Sequence, residues 1–115
     1  MRKWIIPAGL LFFVASSVSF GAEPIRLGFI YIFSGRAALH GQVAKQGVEL
    51  ALEEINRAGG INGRQVVPVF EDSKAKPEVG VEAAKKLVMQ DKVDAVLGII
   101  SSGVAPPVSA AMNEL

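Results

Sequence analysis

The chain has 115 residues, half of them hydrophobic and a fifth charged, with twelve glycines and no cysteine. This composition excludes disorder and low complexity, limits the chain to one globular unit, and removes disulfides, thiolate metal sites, cysteine nucleophiles and lipid-modified cysteine from consideration. A formal net charge of +1 provides no basic excess, so no nucleic-acid partner is expected.

In chain order, Arg2 and Lys3 precede an apolar run from Trp4 to Val14 and then a small-residue segment, ASSVSFGA at 15–22. That is the pattern of a cleavable secretory leader. Pro7, Gly9 and the serines leave the apolar run shorter than the ~20 residues a membrane-spanning helix needs. Cleavage after Gly21 puts small Ser19 three residues before the cut, whereas cleavage after Ala22 puts bulky Phe20 there. The expected division is a signal peptide over 1–22 and one ligand-binding unit over 23–115, the mature chain starting at Ala22 or Glu23. Losing Arg2 and Lys3 leaves ten basic against eleven acidic residues, a formal balance of −1.

Residues 25–31, IRLGFIY, form a nearly continuous apolar run of strand length, as expected for a parallel strand covered on both faces. The run stops at Ser34 and Gly35. From about 41 to 58, Ala44, Val48, Ala51, Leu52 and Ile55 recur at helical spacing while Lys45, Glu49, Glu53 and Arg57 fall elsewhere, which predicts an amphipathic helix. Gly59 and Gly60 close it, and Ile61, Asn62 and Gly63 turn the chain back. Residues 65–71, QVVPVFE, predict a second strand, placed at a sheet edge because Pro68 has no N–H to donate. Residues 77–90 predict a second helix, with Pro77 in its first turn and Gly80, Ala83, Ala84, Leu87 and Val88 on one face. Residues 95–100 predict a third, buried strand. Strand, helix, strand, helix, strand with short connections gives an α/β fold, a doubly wound parallel sheet in order 2-1-3 with its first two helices on opposite faces.

Ligands of such sheets bind outside the carboxyl ends of the strands where the winding reverses, here between strands one and three. Ser34 and Gly35 therefore converge with Ser101, Ser102 and Gly103. Pro106 and Pro107 suit a first helical turn, so those three residues stand at a helix N-terminus, where free N–H groups and the macrodipole attract an anion such as a carboxylate. Ordinary capping by serine, worth ~1 kcal/mol, is the alternative, and the two roles are compatible. Gly35 and Gly41 do not have P-loop spacing, and the cluster Gly59, Gly60 and Gly63 follows a helix, so neither phosphate motif is met and no nucleotide cofactor is called for. Glu53 and Glu54 read as part of a solvated face, with Glu53 and Arg57 spaced for an ion pair. Asp72 and Ser73 read as turn organisers on the crevice side, with ligand contact as the lesser alternative. His40 is the only histidine, which leaves histidine metal sites and a serine–histidine couple without partners. It is either an exposed residue at the start of the helix or a side chain touching the ligand.

IRLGF at 25–29, FSG at 33–35, EINRAGGING at 54–63, EDS at 71–73 and GIISSG at 98–103 together resemble the N-terminal lobe of the leucine/isoleucine/valine-binding proteins, type I periplasmic substrate-binding proteins of ABC transporters. The likeness covers essentially all of the chain after the leader. It implies a two-lobed clamp, monomeric at full length, that closes on a branched-chain or related amino acid, or a small amide or carboxylate. It implies delivery of that ligand to an ABC transporter's membrane permease, with no chemical step and no cofactor or metal. The resemblance has Ser102 bond the ligand carboxylate, Ile100 and Ser101 line the same pocket, and His40 contact the ligand; Gly103 completes the set. A periplasmic location follows from the leader and the missing lipidation cysteine. The same fold also serves as the sensing lobe of receptors and amide-responsive regulators. Ile99, where many relatives have proline, and Lys76, where many have an acidic residue, depart from the family pattern locally. The family continues for several hundred residues, so residues up to Leu115 are expected to be an incomplete lobe, unstable or aggregation-prone and not binding-competent by itself.

Overall fold

A computed structural model describes residues 22–115; the expected leader lies outside the described residues except for Ala22. Three strands and three helices alternate: β1 Ile25–Tyr31, a 3-10 turn Gly35–Ala37, α1 Ala38–Arg57, β2 Val66–Asp72, α2 Pro77–Met89, β3 Ala95–Ile99 and α3 Ala105–Met112. The strands form one parallel sheet in the order β2-β1-β3, as the two right-handed crossovers require. Ile25 to Tyr31 of β1 register with Val66 to Asp72 of β2, and Pro68 sits on the outer strand, where its missing N–H breaks no ladder bond. No helix among the described residues is long and apolar enough to cross a membrane.

The two faces of the sheet are packed differently. On one, Ile30 lies with Ala83, Ala84 and Leu87 of α2 and with Val104 and Val108 around α3; Val69, Val96 and Ile99 pack against this cluster. Full burial of side chains such as Ile30 and Leu87 stabilises the fold by ~1.5–3 kcal/mol each. On the other face, beneath α1, Phe29, Tyr31, Phe33 and Phe70 form an aromatic ladder with ring centroids 5.2–6.2 Å apart. The Lys45 ammonium of α1 stands 5.4 Å over the Phe70 ring, a cation–π contact.

Helix α1 starts at Ala38 rather than near residue 41. Gly41 does not mark its boundary: it is buried in the helix, and an ideal Cβ there would come within 1.9 Å of the Ile32 carbonyl oxygen. The glycine lets helix and strand end approach. The expected apolar face of α1 is only partly buried, with Leu52 inside, Ala44 and Val48 half-buried, and Ala51 and Ile55 exposed. The closing turn forms as expected, Gly60 N–H donating to the Ile55 carbonyl at 2.9 Å, and Asn56 ties the helix to β2 by two bonds to the Val66 backbone of 2.7 and 2.8 Å. Glu53 and Arg57 form their ion pair. The expectation of a buried third strand is corrected. No residue of β3 is buried: Val96 and Ile99 are half-buried on the α2 side and Leu97 on the other is 44% exposed, because α1 packs over β2 and β1.

Candidate functional site

The parallel sheet puts the ends of all three strands at one edge, and two loops there leave β1 and β3. From β1 the chain runs through Ser34 and the 3-10 turn directly into α1, which places His40 in the first helical turn. Its Nδ1 lies 3.3 Å from the Ala37 carbonyl oxygen. From β3 the chain passes Ile100 and reaches α3 through residues 101–104.

Between these loops lies an open pocket of about 460 Å³ lined by Leu39, His40, Val43, Ala44 and Ile100. Its wall is hydrocarbon apart from the imidazole. Two expected site residues, His40 and Ile100, therefore meet. Ser101, Ser102 and Gly103 do not line this pocket; they stand in the loop that begins at its Ile100 wall. Leu39 and Val43, at 68% and 59% exposure, were not singled out in the sequence. With Leu50 they recur at intervals of four and seven on one flank of α1, which is the signal that marks a second apolar face.

The loop's hydrogen bonds limit what the start of α3 can offer an anion. Val104, not a serine, is the N-cap of α3, and no side chain caps the helix. Both Val104 N–H and Ala105 N–H donate to the Ser101 carbonyl at 3.1 Å, and Pro106 and Pro107 have no N–H. The first turn of α3 is thus largely without free donors, which corrects the expectation of a helix N-terminus offering several of them. Serine capping is corrected too, since Ser101 closes the turn with its main chain. The groups left to meet a ligand are the hydroxyl of half-buried Ser101, the hydroxyl and N–H of exposed Ser102 and the N–H of exposed Gly103.

Asp72 and Ser73 organise a turn. Asp72 Oδ1 accepts Phe33 N–H at 2.9 Å and Lys74 N–H at 2.8 Å, while Ser73 Oγ donates to the Tyr31 carbonyl at 3.1 Å. Burial pushes the Asp72 carboxyl up, but bonds from Phe33, Ser34 and Lys74 and the Lys74 charge outweigh it and hold the group below its ordinary value. These bonds stitch the ends of β1 and β2 together beneath the crevice. Burial raises the Tyr31 phenol. Among the described residues, no group of three or more His, Cys, Asp or Glu side chains is placed to hold a metal ion.

Residues 24–114 match the sequence pattern of a family described as periplasmic binding protein. The chain is 40% identical over 108 residues to the Leu/Ile/Val-binding protein homolog 3 of Brucella melitensis, a match taking in 86% of this chain and 29% of that relative. The branched-chain amino acid transporter substrate binding protein LivJ of Streptococcus pneumoniae, solved in complex with isoleucine, superposes with a TM-score of 0.74 at 36% identity, over 79% of this chain and 26% of that one. An ABC transporter solute binding protein of R. palustris, solved in complex with benzoate, superposes with a TM-score of 0.69 at 27% identity, over 79% and 25%. These are named as binding proteins and not as enzymes. The chain spans roughly a quarter to three tenths of their length.

Proposed function

This chain belongs to the periplasmic binding protein family, and from that premise we propose that residues 22–115 supply one wall of the ligand site of an ABC importer's solute-binding protein. The ligand is a branched-chain or related amino acid, or another small apolar carboxylate, taken up in the periplasm and passed to the membrane permease. The observation that carries the reading is the adjacency of an apolar pocket to a loop with free donors. A carboxylate seated on Ser102 Oγ and the Ser102 and Gly103 N–H groups gains charge-assisted hydrogen bonds. An aliphatic or aromatic group beside it is covered by Ile100, Val43 and Leu39, with His40 at the rim. Binding without chemistry fits the relatives, which are named as binding proteins. The ligands named for two relatives, isoleucine and benzoate, each combine one carboxylate with one apolar body, which supports the reading.

The residues cover only about a quarter to three tenths of their relatives, so the test is an NMR titration of the protein at the full length of those relatives with L-isoleucine, benzoate and their amides. Saturable binding that prefers the carboxylates and is lost in Ser102→Ala supports the reading. Equal response to isoleucine and isoleucinamide, or no effect of Ser102→Ala, overturns it.

A further inference from the structure

The site reading makes Ile100 and the loop after it the ligand wall, and the direction in which they point is set by an irregularity in β3. Phe29 registers with Leu97, but the next residue of β1, Ile30, registers with Ile99, so Gly98 is an extra residue in the outer strand. Side chains of a regular strand alternate between faces. Val96 and Ile99 nevertheless both pack against the α2–α3 cluster, although three positions separate them. One inserted residue reverses the alternation from that point on. Without it, Ile99 would face α1 and Ile100 would enter the α2 side. With it, Ile99 packs against the core cluster and Ile100 reaches the pocket formed with Leu39, His40 and Val43.

Two further observations show how the insertion is held. Gly98 has φ +58°, a conformation in which an L side chain is disfavoured. The Tyr31 ring lies directly on it: a Cβ at Gly98 would come within 2.9 Å of Tyr31 Cε1 and 3.0 Å of the hydroxyl oxygen. Tyr31 is itself buried and fixed between Phe29, Phe33 and Phe70, with centroids 5.8, 6.2 and 6.1 Å away. Bulges are used beside functional sites to re-aim side chains.

We propose that the Gly98 bulge, braced by the Tyr31 ring, is the device that aims Ile100 and the Ser101–Ser102–Gly103 loop at the ligand. Both are positioning residues. The inference rests on the binding reading for its purpose, but its geometry is tested without ligand.

The experiment is methyl NOE spectroscopy of the full chain labelled at Ile, Leu and Val, with Gly98→Ala, Tyr31→Ala and Tyr31→Phe. In the unsubstituted chain Ile99 shows cross-peaks to Leu87 or Val104, and Ile100 to Leu39 or Val43. Tyr31→Ala is expected to lose the Ile100 cross-peaks and shift the Ser102 and Gly103 amides while the Ile99 cross-peaks persist. Tyr31→Phe restores both, because the ring and not the hydroxyl is the brace. Gly98→Ala loses the Ile100 cross-peaks or fails to fold; in the second case the two Tyr31 variants decide. A Tyr31→Ala chain that is merely less stable, with Ile100 cross-peaks and loop amides as in the parent, overturns the proposal. So does an Ile99 methyl found against Val43 in the unsubstituted chain. Failure of isoleucine to bind the parent, with the cross-peak pattern as expected, counts against the binding reading alone.

Discussion

Gly41 and Gly47 lie in the same helix, and the same substitution at each should act in opposite directions. An ideal Cβ on Gly41 meets the Ile32 carbonyl oxygen at 1.9 Å and its carbon at 2.7 Å, so the start of α1 must retreat by about 1.5 Å to reach an ordinary contact near ~3.5 Å. The obstacle is backbone and cannot swing aside. Overpacking of this kind costs ~1–3 kcal/mol. At a central value of about 2 kcal/mol the melting midpoint of a domain this size falls by roughly 8–16 °C. Gly47 has no atom within 4 Å of its ideal Cβ, and replacing glycine by alanine in an open helix interior stabilises by ~0.5–1 kcal/mol, because alanine loses less backbone freedom on folding. Thermal melts of both variants followed by circular dichroism at 222 nm provide the comparison. A Gly41→Ala chain that melts at or above the parent, or two variants that shift the same way, would refute the close-approach account of Gly41.

Leu87→Ala removes a side chain that is completely buried between the α2–α3 cluster and Gly28, and urea unfolding should show a loss of ~2–5 kcal/mol; a loss below ~1 kcal/mol contradicts the core assignment. Asp72→Asn tests the turn at the crevice. A carboxyl whose folded pKa is lowered contributes stability in full above its ordinary value near ~3.9, and that contribution disappears as pH falls through the lower folded value. The gap in unfolding free energy between parent and variant should therefore be constant above about pH 5 and close on further acidification, and a gap unchanged down to pH 2 rejects the bonding described. Removing the Glu53–Arg57 pair with Glu53→Gln should change stability by less than ~0.5 kcal/mol, because both side chains are more than half exposed.

What the sequence disclosed and what it concealed divide along local and tertiary lines. The strand order was legible, since three apolar runs separated by helical periodicity and short turns permit few parallel arrangements. The turn chemistry at Gly59 to Gly63 and at Asp72 and Ser73 was legible for the same local reason. The start of α1 was hidden because a glycine chosen for contact with Ile32 looks like one that ends a helix. The open side of β3 was hidden as well, because an apolar strand covered on one face and an apolar strand covered on two read alike. The two prolines of α3 pointed correctly to its first turn, but their missing N–H groups remove the donors that the anion argument needed, leaving Ser102 and Gly103. The bulge at Gly98 had one local signal, an isolated glycine inside an apolar strand run, but which faces Val96 and Ile99 take is invisible in a run that is apolar throughout.

The central claim is that one edge of the sheet, between the ends of β1 and β3, is the ligand wall. An amide-resolved titration with L-isoleucine of the isotope-labelled protein, at the full length of its relatives, tests it most directly. Within residues 22–115 the account predicts saturable shifts at 39–44 and 98–104, with Ser102 and Gly103 moving most. Shifts centred instead on the charged hollow at the opposite edge, around Glu23, Arg26, Arg64, Lys92 and Asp94, would contradict it.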